Sequence, residues 1–178
     1  MRYYNIIFYI SVIIIIIIGL HLKDYLNTNN KYEILTIKYN KTVQSYFKEN
    51  LPIIFTSLFN LDTIISPITT KQKYIQNLDY INYFSHSKDM LFVLIYDKIS
   101  VELLIPKEIN KFKMITKKNN IKILKNIDMN YKYIQVNLDK NNILSIPRFW
   151  IFKIKTINPS IKIYYTDTLF TNLFNVFY

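Results

Sequence analysis

The chain has 178 residues, a formal net charge of +11 and a pI of about 9.6, with no cysteine and one glycine. Without cysteine there is no disulfide framework and no cysteine metal site. With Gly19 as the only glycine there is also no glycine-rich phosphate loop and no G-x-S-x-G nucleophile elbow. Alanine is absent, and Ile, Asn, Lys, Tyr, Leu and Phe dominate. These residues have A/T-rich codons, which is a simple source for the lysine excess. Arg2 and Arg148 are the only arginines. Arginine is the better reader of nucleic-acid grooves, so no specific nucleic-acid partner is expected. Attraction to an anionic membrane surface needs only dispersed lysine.

Residues 1–5 are a short flank, and residues 6–22 read IIFYISVIIIIIIGLHL without a formally charged side chain. As a helix this run reaches about 25 Å, close to the ~30 Å hydrocarbon core of a bilayer. Ile6, Phe8, Ile10, Ile13, Ile16, Ile18 and Leu20 are its lipid-facing candidates. The segment is apolar all round, unlike a core helix with one polar face. Gly19-Leu20-His21-Leu22 makes a poor signal-cleavage site, so the run is expected to be an uncleaved anchor. Lys23 and the lysines beyond it, against Arg2 before the run, favour a cytoplasmic C-terminal side.

Residues 23–31 are polar and Asn-rich, as in a short tether. Residues 33–39 alternate like a strand. Asn40-Lys41-Thr42 fits a glycosylation acceptor, but Asn40 reads better as the N-cap of a helix over 40–49. Residues 51–58 read as a buried strand, whereas 60–88 carry no clear pattern. Residues 90–96 and 99–105, joined by Asp97-Lys98, predict a hairpin. Residues 107–130, rich in Lys and Asn, predict a long surface insertion. Residues 131–138 place Ile134, Val136 and Leu138 inward, and 139–142 turn into a strand over 143–146. Trp150, Phe152 and Ile154 predict another strand, and Ile161, Ile163 and Tyr165 the last. The fold class expected is mainly β with a few helices, an antiparallel sandwich or barrel over 32–178.

The order of helix, Leu51-Pro-Ile-Ile-Phe, Leu104-Ile105-Pro106-Lys107 and Asn142-Ile-Leu-Ser-Ile-Pro147-Arg-Phe-Trp150 resembles the cupin-like (JmjC-like) double-stranded β-helix family. It is similar in particular to degenerate, membrane-anchored members found in large DNA viruses. Pro106, Pro147, Phe149 and Trp150 are the family-motif positions. Arg148 replaces a second proline of that motif, and Phe149 its first aromatics. The resemblance implies a double-stranded β-helix and, in catalytic members, Fe(II) on two histidines and a carboxylate with 2-oxoglutarate. Here His21 lies in the apolar run, and His86 is the one histidine left for the β domain. Lys88 stands where the motif would need its carboxylate. No metal or other cofactor is therefore expected, and no catalytic residue is assigned.

An isolated His86 reads as a loop or surface residue. Glu102, Glu108, Asp97 and Asp139 read as solvated surface charge. The expected function is a single-pass, membrane-anchored, non-catalytic domain with a structural or interaction role. Its partners would be the lipid bilayer and other membrane or virion proteins, at a viral or host internal membrane. Two other readings stay open. One is a tethered enzyme with a site around His86, Asp89 and Tyr96. The other is an electrostatic binder of anionic lipid or nucleic acid, which clustered lysines on one face would favour.

Overall fold

The computed structural model of the chain describes residues 2–38, 44–56, 73–75, 81–118, 121–128, 130–157 and 159–167. Asn40, and with it the expected helix start, lies outside these residues. Helix α1 (Arg2–Leu26) is continuous over 25 residues, about 37 Å at 1.5 Å per residue. Within it Ile6–Lys23 is long and apolar enough to cross a membrane, and none of that stretch is buried. Ile6, Phe8, Ile10, Ile13, Ile16, Ile18 and Leu20 are all exposed, from 40 % at Ile18 to 65 % at Phe8. The Ser11 hydroxyl donates to the Ile7 carbonyl at 2.9 Å, so this polar side chain is satisfied within the helix.

The remainder is mainly β. After α1 come β1 (Leu35–Lys38), α2 (Gln44–Phe47), β2 (Ile53–Thr56), β3 (Lys73–Ile75), β4 (Tyr83–His86), β5 (Met90–Ile95) and β6 (Ile99–Leu104). A 3-10 helix (Pro106–Lys111) comes next, then β7 (Phe112–Lys118), β8 (Ile121–Asn126), β9 (Ile134–Leu138), β10 (Ile143–Pro147), β11 (Ile151–Ile154) and β12 (Ile161–Thr166). They form two six-stranded sheets, ordered β1-β2-β10-β5-β12-β3 and β7-β8-β4-β11-β6-β9. Neighbours are antiparallel except β1 and β2.

The hairpin expected from residues 90–105 does not form. β5 pairs with β10 and β12 in the first sheet, while β6 pairs with β9 and β11 in the second. The Asp97-Lys98 turn carries the chain across the core instead of folding it back in one sheet. β5 is apolar on both faces and β6 on one, so each pattern announces a strand without naming its partner. The 139–142 turn likewise links β9 in one sheet to β10 in the other. Among eight of the strands the pairing is nested: β3 with β12, β4 with β11, β5 with β10 and β6 with β9.

Residues 107–130 are more than a surface insertion. They hold the 3-10 helix and the β7–β8 hairpin, and β8 extends the second sheet by pairing with β4. Ile121 and Leu124, buried on opposite sides of β8, drive this.

The main core lies between the sheets and includes Phe84, Leu91, Leu103, Leu144, Trp150, Phe152 and Tyr165. A second cluster, with Phe55, Phe92 and Ile143, packs beneath Tyr46 and Phe47 of α2. A third, with Tyr83, Leu104, Phe112, Leu124 and Ile151, covers the other face of the second sheet. Ile151 is therefore as buried as Phe152 and Ile154, because β11 is interior in its sheet and packed on both sides.

Candidate functional site

Three segments converge at one end of the sandwich. Met90, at the start of β5, lies in register with Pro147 at the end of β10 and Thr166 at the end of β12. The residues that flank these ends bring charge together. The Lys88 ammonium meets the Asp167 carboxylate at 2.5 Å, with both side chains buried, and it also lies 4.5 Å from the centre of the Tyr165 ring. Arg148 donates to Asp89 at 2.7 Å, and the Asp89 amide donates to the Thr166 carbonyl at 3.1 Å. Two cations and two carboxylates thus form a cluster without net charge. Burial raises the Asp167 carboxyl above its usual range, with Lys88 opposing that shift.

His86 closes the inner side of this cluster. It is buried at the end of β4, which corrects its expected placement on a loop or at the surface. Period-two alternation puts it on the inner face with Phe84, and its ring centre lies 6.5 Å from that of Phe152. The Ile146 and Lys88 backbones approach the ring, but neither ring nitrogen makes a hydrogen bond of proper geometry. Burial pushes its pKa down to about 3, and Arg148 and Lys88 add to this, so the imidazole is neutral.

The four family-motif positions are all buried. Pro106 opens the 3-10 helix, where its missing N–H costs nothing. Pro147 ends β10. Phe149 has φ 68°, a turn conformation that usually belongs to glycine. Its amide donates to the His86 carbonyl at 2.7 Å, and its carbonyl accepts from the Ser85 hydroxyl at 3.2 Å, which hold it there. The Trp150 indole N–H donates to the Asn50 carbonyl at 3.2 Å.

His86, Asp89 and Tyr96 do not come together. Asp89 precedes β5 and Tyr96 lies just after it, which separates them by about 20 Å along the strand. Asp89 is engaged with Arg148, and the Tyr96 ring lies 5.5 Å from the Lys162 ammonium. The Fe(II) site implied by the resemblance does not fit these residues either. Lys88 occupies the place of the carboxylate and is bound to Asp167. Among the described residues no three His, Cys, Asp or Glu side chains cluster closely enough to hold a metal ion.

Two further networks were not legible in the sequence. Glu102, expected at the surface, is buried. It accepts from Tyr83 and Lys155, each at 2.8 Å, and the Tyr83 and Tyr131 hydroxyls lie 2.6 Å apart. Burial, then the bonds to Tyr131 and Glu102, raise the Tyr83 phenol, so it stays protonated. Glu108 is also engaged rather than free in solvent: it pairs with Lys111 at 2.9 Å and accepts from Tyr32 at 2.9 Å. Burial opposes its ionisation, but these two partners outweigh it and hold the carboxyl below its usual range. Asp97 and Asp139 are exposed, as expected.

The tether is fastened to the domain. Asn29 donates to the Glu49 carbonyl at 2.8 Å, and Asn50 donates to the Asn27 carbonyl at 3.3 Å. The Lys107 amide donates to the Asn30 side chain at 3.1 Å. No protein-family model matches the chain, and a search of curated proteins finds no significant match.

Proposed function

We propose that this protein is a single-pass, membrane-anchored β domain of the cupin-like double-stranded β-helix type, with a non-catalytic structural or interaction role. Nested pairing of eight strands across two sheets is the arrangement of a double-sheet jelly roll, the class to which cupins belong, and it supports the family resemblance. The observation that carries the non-catalytic reading is the Lys88–Asp167 pair at the end of the sandwich interior. Every charge there has a partner, so a metal or an anionic substrate would have to break a buried ion pair to bind. The role is display: α1 confines the domain to a membrane and raises its effective concentration toward membrane or virion partners on the same surface. Lys23 at the end of the span favours a cytoplasmic domain.

Calorimetric titration of the detergent-solubilised chain with Fe(II), Mn(II) and Zn(II) tests the non-catalytic reading. No stoichiometric heat is expected, and tight one-to-one binding would overturn it. Extraction of membranes at alkaline pH tests the anchor: the chain should stay with the lipid, and its release would end the membrane reading.

A further inference from the structure

The β7–β8 hairpin concentrates charge of one sign. Residues 111–125 contain Lys111, Lys113, Lys117, Lys118, Lys122 and Lys125 and no acidic residue; of these Lys111 is paired with Glu108. In the ladder Lys113 stands opposite Lys125, and Lys117 stands opposite Lys122. Like charges directly across a strand pair oppose pairing. Lysine on an edge strand is a common defence against edge-to-edge association, and β7 is an edge among the described strands. That defence calls for lysine on β7 alone, yet β8 is paired on both sides and carries the opposing lysines.

Apolar side chains stand exposed beside these charges. The ladder slips between Met114 and Thr116, so Ile115 is an extra residue on β7. Met114, Ile115 and Ile127 are 51 %, 55 % and 64 % exposed. By register, Lys113 and Lys125 lie on one side of the ribbon and Lys117 and Lys122 on the other. The edge is thus an apolar crest with lysine on both flanks.

The hairpin also begins near the anchor. Asn30, which binds the Lys107 amide, is four residues beyond the last residue of α1, a span of at most about 14 Å. The 3-10 helix then leads directly into β7, adding about 10 Å at 2 Å per residue.

We infer that the β7–β8 hairpin is a second membrane contact, binding anionic lipid headgroups of the bilayer that α1 spans, with Met114 and Ile115 at the headgroup boundary. This rests on the reading of α1 as a bilayer anchor. Charge complementarity and closeness to the anchor select lipid over a soluble polyanion. The contact would add a second attachment of the domain to the membrane, beside the fastened tether.

The chain has no cysteine, so Ile115→Cys in the full-length protein takes a single environment-sensitive dye. The labelled protein is placed in nanodiscs of phosphatidylcholine alone or with about 30 % phosphatidylserine, where roughly a two-fold rise in emission and a blue shift are expected with the anionic lipid. Raising salt from about 0.1 M to about 0.5 M should reverse the change, because the headgroup field is screened. The triple variant Lys113→Glu, Lys117→Glu, Lys125→Glu should abolish it while the emission of buried Trp150 shows the domain folded. A Lys→Gln triple variant provides the same test should the Glu variant not fold. Emission that ignores phosphatidylserine, or survives the lysine changes, overturns the inference. A response to an added oligonucleotide in phosphatidylcholine discs, with none to phosphatidylserine, overturns it in favour of nucleic acid. Protein that never enters the discs overturns the anchor reading and this inference with it. Protein that enters with unchanged emission overturns this inference alone.

Discussion

The Lys88 ammonium and the Asp167 carboxylate, 79 residues apart in the chain, meet at one end of the sandwich with both side chains all but removed from solvent. Removing one member of a buried pair strands the other charge in a poorly solvating site. Lys88→Met or Asp167→Leu alone should each cost about 3–5 kcal/mol, whereas the double variant should cost far less than their sum. Urea unfolding of the detergent-solubilised chain, followed by the emission of Trp150, measures this. Additive losses would show that the two groups are not coupled.

His86 makes stability depend on pH. The folded chain holds it neutral down to about pH 3 because it is buried, whereas in the unfolded chain it gains a proton near pH 6.5. Between these values the unfolded state binds more protons, so stability is fully present above about 6.5 and is lost as pH falls, by at most about 1.4 kcal/mol per unit. The raised Asp167 carboxyl works in the opposite sense, keeping its proton longer in the folded state and losing stability as pH rises. His86→Leu isolates the histidine. Its stability should be flatter between about pH 6 and 4 and within about 1 kcal/mol of the parent, or above it, at neutral pH. An unchanged slope would assign the pH dependence to other groups.

Trp150 is fully buried in the main core and ties it to Asn50 through its indole N–H. Trp150→Ala should cost about 3–5 kcal/mol, and Trp150→Phe less. Since the substitution removes the only tryptophan, circular dichroism during thermal unfolding is the measurement. A loss below about 1 kcal/mol would mean the site collapses without a cavity.

Tyr83 donates to the buried Glu102 carboxylate. Tyr83→Phe keeps the ring packing on Phe112 but removes that donor, and should cost about 1–3 kcal/mol in the same urea experiment. If Lys155 alone satisfies Glu102, the variant will match the parent.

The fastened tether should resist protease. Asn30→Ala removes the bond to the Lys107 amide, and a bond worth about 1 kcal/mol corresponds to roughly five-fold faster cleavage by trypsin at Lys31. Equal cleavage rates would show that the segment is already free in solution.

Most individual strands were legible because local alternation and turn residues announce them. Val136 and Leu138 point inward as their spacing predicts, and 161–166 is a strand. Partner choice was not legible. Residues 90–95 and 99–104 look like a hairpin because their turn is short, and only long-range pairing with β9, β10, β11 and β12 separates them. The hairpin of residues 112–126 hid among lysines, since its strands bury few side chains and leave β7 open at an edge.

From sequence alone came the apolar run of residues 6–22, because twenty or so adjacent residues suffice to specify a helix fit for lipid. The same holds for the mainly β character of the domain beyond the tether, which rests on neighbours two residues apart. The surroundings of His86, Lys88 and Glu102 were decided only in three dimensions. Each is an ordinary polar residue in its local context, and burial with Phe152, Asp167 or Tyr83 comes from strands brought together across the two sheets. Whether a charge is solvated or must be paired is a property of the packed interior, which no local stretch of chain contains.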